Sequence, residues 1–315
     1  MSYVFGPVPS RRLGRSLGVD LVPFKTCSYD CIYCQLGCTT NKTIKRKQWV
    51  PIPEVLDEVR EKVALKPDYI TLSGSGEPTL CTGLGELIEG IRSFTDVPVA
   101  AITNGSLLWQ AEVRRELAAA HLVVPSLDAG DAELFEAVNR PHPELSFDQM
   151  AEGLIALREE FPGTIWLETF ILGGYTVEAL AIEKLSRWIA RMKPDRLQLN
   201  TVSRPPAESF ALAVSKDKLE ELARFFEPEG EVIADFRGVH AQTDFVTTRD
   251  IVLQMLERRP CSMDDVASGL GIHRNEAVKY IEELLASKRI EGIPSSGRLF
   301  YRVSPAQPPS TGSAE

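Results

Sequence analysis

Short apolar runs, rich in β-branched residues, recur along this chain at Leu17–Val22, Tyr69–Ser73, Val97–Thr103, Leu122–Leu127, Thr164–Leu172 and Arg196–Val202. Between them lie amphipathic stretches of helical period, at Pro53–Leu65, Leu84–Phe94, Trp109–Ala120, Phe147–Phe161 and Val177–Met192. The runs YITLS, VAAIT and LVVPSL are continuous rather than alternating. Continuous runs predict burial on both faces, and therefore parallel strands covered by helices. Prolines at 51 and 53 suit a helix start, and Asn104-Gly105 suits a strand-to-helix turn. Six such steps predict an α/β fold, open or barrel-like, with chemistry at the C-terminal ends of the strands.

The rhythm breaks at SRPPA, Ser203–Ala207. A helix is predicted at Ser215–Phe226 and a short strand at Glu231–Phe236. A different order then begins, with helices predicted at Thr248–Glu257, Met263–Leu270 and Arg274–Ser287. Two short strands around a Ser-Ser-Gly turn follow in RIEGIPSSGRLFYRV. That order is the one of a winged helix-turn-helix. Its apolar stripe reads Ile251, Val252, Met255 and Leu256, then Val266 and Leu270, then Val278, Ile281 and Leu285. The expected domains are residues 1–240, the winged helix-turn-helix at 247–303, and a Pro/Ser-rich disordered tail at 304–315.

With 315 residues the chain can hide about 75% of its unfolded surface. An apolar fraction of 43% and a charged fraction of 25% exclude a largely disordered or fibrous chain. No stretch approaches about 18 uninterrupted apolar residues, and the N-terminus lacks the apolar segment of a secretory signal, so a cytoplasmic protein is expected. The net charge is −9, which opposes nucleic acid unless basic residues are grouped. Residues 247–303 carry nine basic and eight acidic side chains, so the grouping is weak there. Arg11, Arg12, Arg15, Lys42, Lys45, Arg46 and Lys47 make the N-terminal part locally basic. They are candidates for an anionic ligand or a partner's acidic face, or for a solvated loop.

Of six cysteines, three fall within eight residues, as Cys27, Cys31 and Cys34 in CSYDCIYC. In a long chain without an export signal that spacing reads as metal ligation, not cross-linking. A compact loop of thiolates suits an iron–sulfur cluster. Three ligands on a four-iron cluster leave one iron open for a ligand, as in catalytic zinc sites. A zinc knuckle completed by Cys38 is the alternative.

The C-x3-C-x2-C spacing, with Tyr33 before the last cysteine, resembles the signature of radical S-adenosylmethionine (AdoMet) enzymes. LSGSGEPTL, with Gly74, Gly76, Glu77 and Pro78, is similar to that family's Gly-Gly-Glu-Pro segment. TNG at Thr103–Gly105 and SLDA at Ser126–Ala129 end the next two strands, where the family contacts its cofactor. The resemblance covers residues 1–240 and implies a partial parallel (β/α)6 barrel. It implies a [4Fe–4S] cluster on Cys27, Cys31 and Cys34 that binds AdoMet at its open iron. It also implies reductive cleavage to a 5′-deoxyadenosyl radical, and hydrogen abstraction from a substrate. Gly74, Gly76 and Glu77 are then candidates for the AdoMet ammonium, and Asn104, Ser126 and Asp128 for its ribose. Gly173 and Gly174 are candidates for admitting the adenine. The bland reading of each is a turn or a helix cap. An electron donor such as flavodoxin or ferredoxin is implied as partner, with no membrane.

FGPVPSRRLG, SLDA and NRPHPEL further resemble proteins related to wyosine-tRNA synthase, and more closely a bacterial and archaeal group without an assigned reaction. The tRNA enzymes use a further N-terminal cysteine set, and no cysteine precedes Cys27. The substrate, whether small molecule, peptide, protein or RNA, and the catalytic residues acting on it are not specified. An iron–sulfur redox-sensing DNA-binding regulator is the competing class. It would need the cysteines but not Gly74–Pro78, TNG and SLDA in order. Cys38 and Cys81 are expected on the cofactor side and Cys261 in the helical module.

Overall fold

The computed structural model describes residues 2–234, 249–295 and 297–304. The chain divides into two compact units, residues 1–239 and 240–315. Among the described residues, no helix is long and apolar enough to cross a membrane.

In the first unit, strands β1 (Val4–Ser10) and β2 (Gly14–Val19) form an antiparallel hairpin. Two short strands, β3 (Thr26–Cys27) and β4 (Asn41–Lys42), pair in parallel and close the cysteine loop. Strands β5 (Tyr69–Leu72), β6 (Val99–Thr103), β7 (Leu122–Pro125), β8 (Thr164–Phe170), β9 (Arg196–Asn200) and β10 (Gly230–Val232) follow. The sheet order is β1-β2-β5-β6-β7-β8-β9-β10, and every pair from β2 onward is parallel. This is a mostly parallel α/β sheet of the kind from which partial barrels are built. Helices α1 (Ile52–Lys62), α2 (Leu84–Arg92), α3 (Ala111–Leu117), α4 (Ala132–Asn139), α5 (Phe147–Glu160), α6 (Ala179–Met192) and α7 (Lys216–Ala223) lie between the strands.

The continuous apolar runs have a direct cause. Alternate residues of one strand serve two different cores. Ile70, Leu72, Val99, Ala101, Val123, Ile165 and Leu167 pack with the buried faces of the helices. Their neighbours Ala100, Leu122 and Val124 face the other way, against Tyr69, Ile102 and Trp166. That second core is filled from outside the sheet by Leu13, in the β1–β2 turn. The turn therefore plugs the inner face of the sheet, and Arg11 beside it reaches across to Asn200 Oδ1 (2.9 Å) on β9. The expected strand at Glu231–Phe236 is β10, and Phe236 lies outside the described residues.

The second unit contains α8 (Arg249–Arg258), α9 (Met263–Leu270) and α10 (Arg274–Ala286). Strands β11 (Cys261–Ser262), β12 (Ile290–Ser295) and β13 (Arg298–Val303) form an antiparallel sheet in the order β11-β13-β12. Ser262 and Asp265 make a reciprocal cap that starts α9. Its core contains Val252, Met255, Leu256, Val266, Leu270 and Ile281. On α10 the buried stripe runs Ala277, Ile281, Leu284, one position off the expected Val278, Ile281, Leu285. Both sets have helical spacing, and packing selects the first. Thr247 and Thr248 of the expected module, and its tail from residue 305, lie outside the described residues.

Candidate active site

Strands β5, β6, β7 and β8 end beside the loop that carries the three cysteines. Lys25 N–H donates to Ser75 O (2.7 Å), and Glu77 N–H donates to Thr26 O (3.1 Å). This close approach explains Gly76, and a second one, to Asp20, explains Gly74. A Cβ on Gly76 would lie 1.8 Å from Thr26 O, and one on Gly74 would lie 1.9 Å from Asp20 Oδ1. Gly74 also has φ +147°. The GSGEP turn is thus packed directly on the cysteine loop.

Cys27, Cys31 and Cys34 are free and half-buried, Cys38 is exposed and Cys81 buried. Each of the three loop sulfurs meets a nitrogen donor from a different part of the chain. Asn104 Nδ2 donates to Cys27 Sγ (3.5 Å), Asn139 Nδ2 to Cys31 Sγ (3.5 Å), and Lys25 Nζ to Cys34 Sγ (3.7 Å). Burial pushes the Cys27 thiol up to about 12, with Glu77 adding to the rise. Burial likewise pushes Cys31 well above the ordinary thiol range, helped by Asp128. Such thiols ionise only when a cation replaces the proton, so metal binding here releases protons. The Tyr29 hydroxyl, between the first two cysteines in sequence, is buried with no hydrogen-bond partner.

Glu77 is 2% exposed and its carboxylate is directed into the protein. Oε1 accepts from Thr79 N (3.1 Å), Thr79 Oγ1 (2.5 Å) and Thr103 Oγ1 (2.6 Å), and Oε2 accepts from Asn104 N (2.7 Å). Burial raises its pKa, and the Thr103 and Thr79 bonds hold it back. Asn104, expected at a ribose, sits with its amide on Cys27 and on Ser28 Oγ (2.9 Å). Glu77 thus ties the GSGEP turn to the TNG turn, and the TNG turn touches the first cysteine.

A cavity of about 230 Å³ opens beside Cys34, lined among others by Tyr33, Ser126, Asp128, Glu168 and Arg204. Ser126 and Asp128 therefore stand together where the sequence expected a ligand. Asp128 accepts from Tyr33 OH, from Asn139 Nδ2 (2.8 Å) and from Phe170 N (2.9 Å). Burial nevertheless pushes its carboxyl up to about 6. The Tyr33 ring stacks on Phe170 at 3.9 Å between centroids. Glu168 is half-buried, and desolvation alone would raise its pKa, but the Arg12 guanidinium at 2.5 Å and Asn200 Nδ2 at 2.7 Å hold it below the usual range. Gly173 N–H donates to Leu212 O (3.0 Å) and Gly174 has φ +79°, the geometry of a turn.

The basic residues noted in the sequence do not form a patch. Arg46 pairs with Glu116 and with Glu112 (3.2 Å), and Arg12 with Glu168. Lys42 donates to the carbonyls of Arg140 and Pro141, Arg15 to those of Leu65 and Lys66, and Lys47 lies over Trp49.

The comparison that decides the family is the match of the radical SAM superfamily model to residues 21–185, just over half of the chain. The chain belongs to the radical SAM superfamily. It is 33% identical to the UPF0026 protein MJ1312 of Methanocaldococcus jannaschii over 96% of both chains, and so belongs with the UPF0026 proteins. It is 37% identical to the GTPase Obg of Brachyspira hyodysenteriae over 96% of this chain, which spans only 45% of that protein. A solved radical SAM methyltransferase from Sphaerobacter thermophilus shares the fold, with a TM-score of 0.52 and 16% identity over 71% of this chain and 67% of that one.

Membership in the superfamily implies AdoMet and an iron–sulfur cluster, and the residues present fit such a cluster. Three soft thiol donors share one loop, each sulfur has an N–H aimed at it, and a buried phenol near them lacks a partner. Among the described residues, no set of three or more His, Cys, Asp or Glu groups could hold a single metal ion.

Sequence reasoning missed Lys25, Asn139 and Glu168, and named Arg12 only as one of a basic group without its carboxylate partner. Asn139 lies in the NRPHPEL segment that carried the resemblance, so a signal was present without a role attached. Arg12 and Glu168 meet only across 156 residues, and Lys25 is marked only by the fold of its own loop.

Proposed function

We propose that the protein is a radical SAM enzyme in which Cys27, Cys31 and Cys34 hold a [4Fe–4S] cluster. The observation that carries this reading is the set of three loop sulfurs, each facing a separate N–H donor, beside a cavity at the strand ends. When bound, the cluster supplies the electron that cleaves AdoMet reductively to a radical able to abstract hydrogen from a substrate.

The chain's own residues then have definite tasks. Backbone carbonyls of the Gly74–Gly76 turn are offered to the AdoMet ammonium, and the two glycines let that turn pack against Asp20 and Thr26. Glu77 fixes that turn instead of reaching the ligand itself. Ser126 and Asp128 supply hydroxyl and carboxylate acceptors for the ribose. Asp128 is steered by Tyr33 and Asn139, so it keeps one orientation. Stacked Tyr33 and Phe170 form an apolar wall that excludes water from the cavity. The described part of residues 247–303 is read as a winged helix that recruits the substrate or a protein partner. A tRNA substrate is not favoured, since residues 247–303 carry nine basic against eight acidic side chains, and Arg274 and Arg302 each face a carboxylate, Asp264 and Glu291.

The test is anaerobic reconstitution with iron and sulfide, then AdoMet and dithionite. Formation of 5′-deoxyadenosine is expected, together with charge-transfer absorption lost in the Cys27→Ala, Cys31→Ala, Cys34→Ala triple variant. Stoichiometric zinc in anaerobically prepared protein, without iron, would overturn the reading.

A further inference from the structure

The three N–H donors at the cysteine sulfurs are not equivalent. Those on Cys27 and Cys31 are neutral carboxamides, Asn104 and Asn139. The one on Cys34 is a lysine ammonium, and that lysine is 3% exposed. A buried ammonium needs anionic or hydrogen-bonding partners to offset lost hydration. Lys25 Nζ has the carbonyl of Gly37, three residues past Cys34, and the Cys34 sulfur itself. Its backbone is held in the left-handed region, φ +62°, which an unbranched non-glycine residue adopts only where surrounding bonds impose it. Those bonds are present. Lys25 N donates to Ser75 O (2.7 Å), and Lys25 O accepts from Thr40 N (3.2 Å) and Asn41 N (3.1 Å). The loop is therefore braced on both sides in a conformation that sends this one cation to this one sulfur.

We infer that Lys25 is a positioning residue whose ammonium is the charge partner of the cluster at Cys34 and favours the reduced, more negative cluster. This rests on the reading that the three cysteines hold an iron–sulfur cluster. The step concerned is the addition of one electron from a low-potential donor. No bond forms or breaks and no proton moves. The added negative charge lies near a fixed positive one in a site of low dielectric, so the attraction to Lys25 is larger after reduction than before. Hydrogen bonds and local charge at the sulfurs are among the levers that set the potential of such centres.

The experiment is a redox titration of reconstituted full-length protein, followed by electron paramagnetic resonance against dithionite-poised mediators, for wild type, Lys25→Gln and Lys25→Arg. Gln keeps an N–H donor and removes the charge, Arg keeps the charge, and neither adds a branch at the strained backbone position. Lys25→Gln is expected to be at least tenfold harder to reduce, a shift of 59 mV for one electron. Lys25→Arg is expected within threefold of wild type. Equal potentials for wild type and Lys25→Gln overturn the inference while leaving the cluster reading intact. Wild-type protein that takes up no iron overturns the cluster reading, and this inference with it. Loss of iron from Lys25→Gln but not from Lys25→Arg supports the charge-partner role. Loss from both shows that the lysine only straps the loop through Gly37, and overturns it.

Discussion

Replacing Glu77 tests whether its carboxylate serves the protein or a ligand. The side chain is 2% exposed and accepts four hydrogen bonds, two from backbone N–H groups and two from threonine hydroxyls. In Glu77→Ala the hydroxyls of Thr79 and Thr103 can rotate toward other acceptors. The N–H groups of Thr79 and Asn104 cannot turn without moving the backbone. Each buried donor left unmet costs about 1–3 kcal/mol, so the two together cost about 2–6 kcal/mol, before any cavity term. That is a large part of the ~5–15 kcal/mol that ordinarily holds a domain together. The damage is also aimed. Asn104 is released from Glu77 at one end, and its amide contacts Cys27 Sγ at the other. Urea unfolding of the apoprotein should therefore show a loss of several kcal/mol, and iron per chain after anaerobic reconstitution should fall with it. Glu77→Gln keeps the shape but turns one acceptor into a donor, so an intermediate loss is expected. If Glu77→Ala unfolds within 1 kcal/mol of wild type and takes up full iron, yet binds AdoMet weakly by equilibrium dialysis, the reasoning is refuted. The carboxylate would then face the ligand.

Asp128 has its carboxyl raised from 3.8 to about 6, worth about 3 kcal/mol at ~1.4 kcal/mol per unit. A raised carboxyl stabilises the fold below its unfolded value, and that contribution is lost as pH rises through about 6. Asp128→Asn should therefore flatten the fall in apoprotein stability between pH 4 and 7, as read by urea midpoints. Removing Arg12 leaves Glu168 half-buried and charged without its cation. Arg12→Met should cost up to about 3–5 kcal/mol at pH 7 and less at acid pH, because without the guanidinium desolvation raises the Glu168 carboxyl and the variant takes up a proton there at a higher pH than wild type. Deleting residues from 247 onward should leave iron uptake and substrate-free 5′-deoxyadenosine formation unchanged, because no candidate cofactor residue falls there. Loss of the cluster on truncation would make the module part of the catalytic core.

The contrast between what the chain discloses locally and what it hides has a physical cause. Strand runs such as VAAIT are legible because both faces of each parallel strand are buried, and burial is written residue by residue. The cysteine loop is legible because its three cysteines lie close in sequence. Strand β1 is not, since VFGPVPS combines Gly and Pro in a way that reads as a loop and is tolerated only at a sheet edge. Helix α4 is also missed. It is short, opened by the Asp131 cap and closed by Arg140 at φ +45°, and it contains too few residues for a clear period. Its consequence is large, because its last residue, Asn139, bonds both Cys31 and Asp128 across separations of 108 and 11 residues. Arg12 and Glu168 are 156 residues apart, and the turn that delivers Arg12 is held by Leu13 filling the inner face of the sheet. The ligands of such a site are specified by local spacing, whereas the groups that orient and charge them are specified only by the fold. The roles of the donors at Cys27, Cys31 and Cys34 belong to the second kind: Asn104 stands out in TNG and Lys25 lies near the cysteines, but which sulfur each meets is set by the fold. On the proposed reading, substituting Lys25, Asn104 or Asn139 should therefore alter the behaviour of the reconstituted cluster with Cys27, Cys31 and Cys34 all intact.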